Sequence, residues 1–159
     1  MDLSNLEKLD IDILKILSKD GRASFRQIAK DLSKSPVTVK KHVEALEKNI
    51  IKGYGASINF ESLGYDILAF IELTISKGKM LEVEKEIAYL PNIFGVFDVT
   101  GTYDAIILAR FKTRSELSNL VKKINSYEFV VRTNTHLILN IIKEGTDFSD
   151  LIEKDYLKS

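Results

Sequence analysis

Residues 29 to 43 constrain the fold more than any other stretch: Ala29-Lys30-Asp31-Leu32-Ser33-Lys34-Ser35-Pro36-Val37-Thr38-Val39-Lys40-Lys41-His42-Val43. Ser35 suits an N-cap and Pro36 the first helical position, so a helix starts here. A short helix precedes it. Ser24 caps that helix, Gln27 stands three residues on as in a capping box, and the apolar face Phe25, Ile28, Ala29 and Leu32 ends at Leu32. The chain must therefore turn tightly between the two. At about 100° per residue, Val39, Val43 and Leu46 fall on one stripe of the helix running from Pro36 to about Lys48. Val37, Lys41, Glu44 and Ala45 point away from it, with Thr38 and Lys40 on the flanks. Such a helix packs by one side and leaves a basic, hydroxyl-bearing side free.

A further helix is expected from Glu7 to Ser18, because Leu6, Leu9, Ile13, Ile16 and Leu17 follow helical spacing. Asp20-Gly21-Arg22 ends it, with Gly21 suited to a left-handed cap, and Asn49 suits the same role after the third helix. Three helices this short enclose a marginal core, so this part needs a neighbour or a partner. Ile50 to Asn59, with Gly53, Tyr54 and Gly55, is too apolar for a free linker and is expected to form a strand joining two halves.

From Gly64 the order is strand, helix, strand, strand, helix, strand. Tyr65–Ile75 is apolar and β-branched. Met80, Val83, Ile87 and Leu90 have helical spacing, and Pro91 closes that helix. Ile93–Val99 and Asp104–Phe111 flank a turn at Thr100-Gly101-Thr102-Tyr103. Thr113 and Glu116 form a capping box for a helix carrying Leu117, Leu120, Val121 and Ile124. Phe129 to Ile142 reads as one long strand, with Thr133 and Thr135 on one face and Arg132, Asn134, His136 and Asn140 on the other. This βαββαβ order is that of a ferredoxin-like sheet with both helices on one face. The fold class is α+β. A helix-turn-helix domain spans 1–52, a connector 53–63 and the βαββαβ domain 64–145. A tail, 146–159, carries a weak amphipathic pattern in Phe148, Leu151, Ile152 and Tyr156. The open sheet face stays apolar in several places and is expected to seek a second subunit.

The net charge is zero, but its distribution is uneven. Residues 1–52 hold 11 Lys/Arg against 8 Asp/Glu, and residues 53–159 hold 12 against 15. Within 19–52 the count is 9 against 4, which points to contact with nucleic acid through the first half. There is no cysteine and there are only two histidines, so zinc-finger, disulfide and metal sites are not expected. No apolar run is long enough to span a membrane and no signal peptide is recognisable, so a cytoplasmic location is expected. No nucleophile, base and orienting group can be assembled, so an enzyme is not expected.

Several short motifs stand in an order that resembles the Lrp/AsnC family of prokaryotic transcription regulators. They are Leu9-Asp10, Ile13-Leu14, Asp20-Gly21-Arg22, Ile28-Ala29, Ser35-Pro36, Thr38-Val39, Leu46-Glu47 and Ile51-Lys52-Gly53-Tyr54. In the second half, Thr100-Gly101-Thr102-Tyr103-Asp104 and Arg132-Thr133-Asn134-Thr135 continue the likeness, which covers about residues 6–144. Lys34 and Asn49 depart from the family's usual apolar residue and glycine. Lys40, Lys41 and His42 stand where His-Arg-Arg-like residues are frequent.

The resemblance implies a regulator that binds double-stranded DNA as a homodimer or as an octamer of four dimers, with an amino acid or similar effector between subunits of neighbouring dimers. The alternative is an amino-acid sensor or assembly module that does not bind DNA. The expected DNA-facing set is Lys34, Ser35, Val37, Thr38, Lys40, Lys41 and His42, with Arg22, Ser24 and Arg26 at the start of the second helix. Ser, Thr, Lys and Arg suit phosphate oxygens, Lys also suits guanine, and the Val37 or Thr38 methyls suit thymine. His42 lies at the edge of the apolar stripe, where partial burial suits it better than base reading. The expected effector set is Gly101, Thr102, Tyr103 and Asp104, with Thr133, Asn134 and Thr135 as neighbours. A glycine turn exposes N–H groups to a carboxylate, and Asp104 suits an amine. The same residues also suit a plain hairpin turn.

Overall fold

The computed structural model describes residues 6–76 and 80–145, together with 150, 151 and 154. The chain forms two compact units, one of residues 1–57 with 143–159 and the other of residues 58–142. Among the described residues no helix is long and apolar enough to cross a membrane. The expected tail helix lies outside the described residues except for those last three, which are helical.

The first unit contains α1 (Lys8–Lys19), α2 (Phe25–Asp31) and α3 (Pro36–Asn49). Its core is Ile13, Ile28, Ala29, Val39, Val43 and Leu46, with Leu9, Ile16, Leu17 and Leu32 packed around it. The caps are local and explain the boundaries. Ser24 Oγ accepts the Gln27 N–H at 3.2 Å and Ser35 Oγ accepts the Thr38 N–H at 3.0 Å. Only half of the expected capping box at Ser24 forms, because the Gln27 side chain donates to Asp31 Oδ1 at 2.7 Å instead. Neither expected left-handed cap is used. Beside Gly21 the turn is made by Asp20, whose Oδ1 accepts the Arg22 N–H at 2.9 Å. A Cβ on Gly21 would lie 3.5 Å from the Tyr54 ring, an ordinary contact, so neither space nor backbone conformation requires glycine there. After Asn49 the helix simply runs out, with the Ile50 and Ile51 N–H groups both donating to the Leu46 carbonyl.

Ser33 carries the strain of the first unit. It is the one non-glycine residue with positive φ, at 53°, among those described. It makes the sharp turn that separates α2 from α3.

Residues 51–59 form no strand. A strand needs a partner, and this segment pairs with none of the described strands. The segment instead begins by folding back on its own unit, where the Tyr54 hydroxyl donates to Glu47 Oε1 at 3.0 Å. Burial and the Glu47 carboxylate push the Tyr54 hydroxyl pKa up.

The second unit opens with a 3-10 turn, Glu61–Leu63, that sequence patterning did not indicate. It ends at Gly64 with φ 81°. Then follow β1 (Ile67–Ile75), α4 (Met80–Ala88), β2 (Ile93–Asp98), β3 (Ala105–Phe111), α5 (Arg114–Asn125) and β4 (Val130–Ile138). The sheet order is β2-β3-β1-β4 and every neighbouring pair is antiparallel. This is the expected ferredoxin-like arrangement. Ile71, Leu73, Ile107, Ala109 and Phe111 meet Val83, Ile87, Leu117, Leu120 and Ile124 in one core, so both helices cover the same face. The Thr113–Glu116 capping box forms as expected. β4 is shorter than expected, stopping at Ile138 where its partner β1 starts at Ile67.

The left-handed region costs an L-residue about 1–2 kcal/mol and glycine almost nothing. Ser33→Gly should therefore raise the stability of the first unit by up to about 1 kcal/mol, read by thermal unfolding. Ser33→Val should lower it by more than that.

Candidate functional site

The first unit exposes basic and hydroxyl-bearing side chains on both α2 and α3. α3 is fixed by Val39, Val43 and Leu46, which are at most 2% exposed. Because α3 buries that stripe, its other faces turn outward. Val37 is 66% exposed, and Lys34, Ser35, Lys40 and Lys41 are also exposed. Thr38 is half-buried on the flank, with its hydroxyl 2.8 Å from Ser35 Oγ. Lys40 pairs with Glu44 at 3.6 Å along the helix. Exposed pairs of this kind are worth only about 0.3–0.5 kcal/mol, so a phosphate can displace Glu44. Arg22, Ser24 and Arg26 are exposed at the start of α2. The α3 N-terminus adds a dipole that favours an anion. The surface therefore combines backbone-positioning cations and hydroxyls with an apolar contact at Val37.

His42 stands apart from that surface. Its side chain is 21% exposed, and Nδ1 lies 2.7 Å from Asp10 Oδ1 of α1. It belongs to the packing between helices, as its angular position implied. Sequence reasoning took Asp10 only as part of the Leu9-Asp10 motif, although a charge in helical register with Leu6, Ile13 and Leu17 is a visible signal.

The structure does not bring the expected effector residues into one place. β2 and β3 stop sooner than expected, leaving a loop from Val99 to Asp104 closed by the Val99 N–H donating to the Asp104 carbonyl at 3.0 Å. Gly101, at φ 127°, has nothing within 4 Å of where a Cβ would stand, so its backbone is open to solvent. Thr102 beside it is exposed. Asp104 is used internally: Oδ2 accepts the Ile75 N–H at 2.7 Å and its own N–H donates to the Leu73 carbonyl at 2.9 Å. Thr133 and Thr135 pair with Leu73 and Ile71 and share their face, whereas Asn134 pairs with Glu72 on the open face.

Asn134 belongs to a polar cluster in the middle of that open face. Its Nδ2 donates to Glu72 Oε2 at 2.7 Å and lies 3.3 Å from the Tyr103 hydroxyl. His136 Nε2 is 3.0 Å from the same Glu72 oxygen, and the Arg132 guanidinium lies 5.4 Å from the centre of the Tyr103 ring. Around the cluster the face is apolar and aromatic. Phe94 and Phe97 are 53% and 51% exposed, and Arg110 lies over the Phe60 and Phe94 rings. Glu72 and His136 are additions to the site that sequence reasoning missed. Glu72 is the lone charge in β1, which was the available signal.

The His136 hydrogen bond, assisted by Asn134 and the nearby Arg132 charge and opposed by desolvation, holds the Glu72 pKa below its usual value of 4.5. A carboxylate depressed in the folded state adds stability above its unfolded pKa and loses it as pH falls through the folded value. The stability difference between the unsubstituted chain and Glu72→Gln should therefore be constant near neutral pH and shrink below 4.5. Thermal unfolding across that range checks it.

Comparison with known proteins bears on both units. The family model described as Lrp/AsnC ligand binding domain matches residues 68–148, and one for a winged helix-turn-helix DNA-binding domain matches residues 6–49. An HTH-type transcriptional regulator of Pyrococcus horikoshii is 41% identical over 140 residues, covering 87% of this chain and 95% of its own. FL11, an HTH-type transcriptional regulator of Pyrococcus furiosus, is 36% identical over 143 residues, covering 89% and 95%. Among solved structures, AsnC of E. coli aligns with a TM-score of 0.83 at 25% identity, covering 89% of this chain and 97% of AsnC. A transcriptional regulator of Neisseria meningitidis, solved as its L-Met complex, aligns with a TM-score of 0.85 at 26% identity, covering 91% and 96%. Sequence motifs, helix-turn-helix geometry and a ferredoxin-like second unit agree with these likenesses across most of the chain, which belongs to the Lrp/AsnC family of DNA-binding transcription regulators.

Proposed function

We propose that this regulator binds DNA as a homodimer through α3 and that an amino acid modulates it through the second unit. The observation that carries the DNA reading is α3 itself, with one stripe fully buried and Val37, Lys40 and Lys41 outward. Lys34, Ser35, Thr38, Arg22, Ser24 and Arg26 complete the contact set, chiefly toward phosphates. Two such helices related by a two-fold axis read half-sites about 34 Å apart.

The apolar open face of the sheet supports the dimer. Phe94 and Phe97 are half-exposed aromatic side chains, and apolar surface of this kind favours association. Assembly of four dimers into an octamer is the finer state that sedimentation distinguishes. For the effector, the exposed backbone at Gly101 and Thr102 suits a carboxylate. Tyr103 and Asn134 stand together on the open face beside them. Asp104 contributes its other oxygen, since Oδ2 is held by Ile75, and Thr133 and Thr135, on the other face of β4, take no part. The Neisseria regulator's L-Met complex makes a free amino acid the ligand class to try first.

Binding to a fragment spanning the DNA upstream of the protein's own coding sequence should fall steeply as salt rises. The double substitution Thr38→Ala/Lys41→Ala should weaken it by about 10–100-fold. Salt-insensitive binding, or equal binding by the double variant, would contradict the α3 reading. In calorimetry the set of free amino acids should include at least one binder whose heat is lost in Gly101→Thr.

A further inference from the structure

The proposed DNA reading leaves one residue of α3 unexplained, and the following rests on that reading. We propose that His42 is a positioning residue that sets the roll of α3 through Asp10, and that it does not contact DNA.

Asp10 is the one charged residue that is buried among those described, at 8% exposed. A buried carboxylate is tolerated only when its oxygens are satisfied. Here both are used. Oδ2 accepts the Glu7 N–H at 2.9 Å, which closes the first turn of α1. Oδ1 takes His42 Nδ1 at 2.7 Å across 32 residues of sequence. A carboxylate only accepts, so Nδ1 carries the proton and donates. Removing His42 from this bond to reach a base would leave Asp10 Oδ1 without its donor.

The geometry gives the pair a mechanical role. Val39, Val43 and Leu46 lie along one stripe, and a single stripe fixes how deep a helix sits better than how far it rolls about its axis. His42 lies about 100° from Val43 around the helix, at the stripe's edge, so a bond there resists rolling. A shallow cavity of about 270 Å³ lined by Leu6, Glu7, Asp10, Lys41, His42 and Ala45, among others, adjoins the pair. Apolar packing is therefore incomplete at this edge, and the polar bond is what spans it. Roll decides whether Val37, Thr38 and Lys41 meet base edges or miss them. Small misplacements of this kind weaken specific binding without altering the number of charges at the interface.

The test uses the full chain and the upstream fragment, with affinity measured at several salt concentrations. His42→Ala and Asp10→Ala should each weaken binding about tenfold, with no further loss in the double variant. The slope of log affinity against log salt should stay that of the unsubstituted chain. Lys34→Ala, at a residue assigned to a phosphate, should flatten it by about one. Conservative variants separate the two roles even where the alanine variants fail to fold. Asn places an N–H donor near Nδ1 and Gln places one near Nε2. Positioning through Asp10 predicts that His42→Asn retains affinity and His42→Gln does not. The reverse order, or a slope flattened by His42→Ala, would make His42 a DNA contact and overturn the proposal. No binding by the unsubstituted chain would remove the DNA reading itself, and this proposal with it.

Discussion

Burial of Val39, Val43 and Leu46 is the constraint on which the proposed DNA-binding surface depends. These three side chains, together with Ile13, Ile28 and Ala29, form nearly the whole core of the first unit. A core that small has no redundancy. Its few apolar anchors decide which way α3 faces, and the outward set of Val37, Lys40 and Lys41 follows from them. The turn at Ser33 then holds α2 back from α3, leaving the N-terminal end of α3 exposed. Sequence-independent affinity comes from charge that any basic helix supplies. Specificity needs the helix held at one depth and one angle, which only the packing supplies.

The second unit follows a different economy. β1 is the inner strand that pairs with both β3 and β4, and its alternation separates the two faces. Ile71, Leu73 and Ile75 enter the helix-covered core, while Phe70, Glu72 and Thr74 turn to the open face. That face holds a polar cluster inside an aromatic surround. Apolar surface drives association without direction, whereas a fixed set of hydrogen-bonding groups favours particular registers. The Thr74 hydroxyl is buried and has no hydrogen-bond partner, so the cluster keeps unused polar capacity beside Arg132.

Local features were readable from the chain because their causes are local. Ser24, Ser35-Pro36 and Thr113–Glu116 satisfy N–H groups within three residues, so caps and helix starts were legible. The strand and helix order of the second unit was equally legible from periodicity. Expectations failed where an outcome depended on distant partners or on choices between local alternatives. The connector was read as a strand from its composition, yet it pairs with none of the described strands. Gly21 offered a left-handed cap, but the Asp20 carboxylate made the turn. Asp104 was legible as a turn residue, while its bond to Ile75, 29 residues away, was not. Asp10 with His42 and Glu72 with His136 are the same case. Each is a charge inside an apolar pattern, which marks the residue but does not name its partner.

Hydroxyl-radical footprinting of the protein on the DNA upstream of its own coding sequence tests the central claim most directly. Two copies of α3 held by rigid cores and related by symmetry predict protected stretches on one face of the duplex. Their centres should lie about one helical turn, or a whole multiple of it, apart. Protection without that helical phase, or no protection at low salt, would contradict recognition by paired α3 helices.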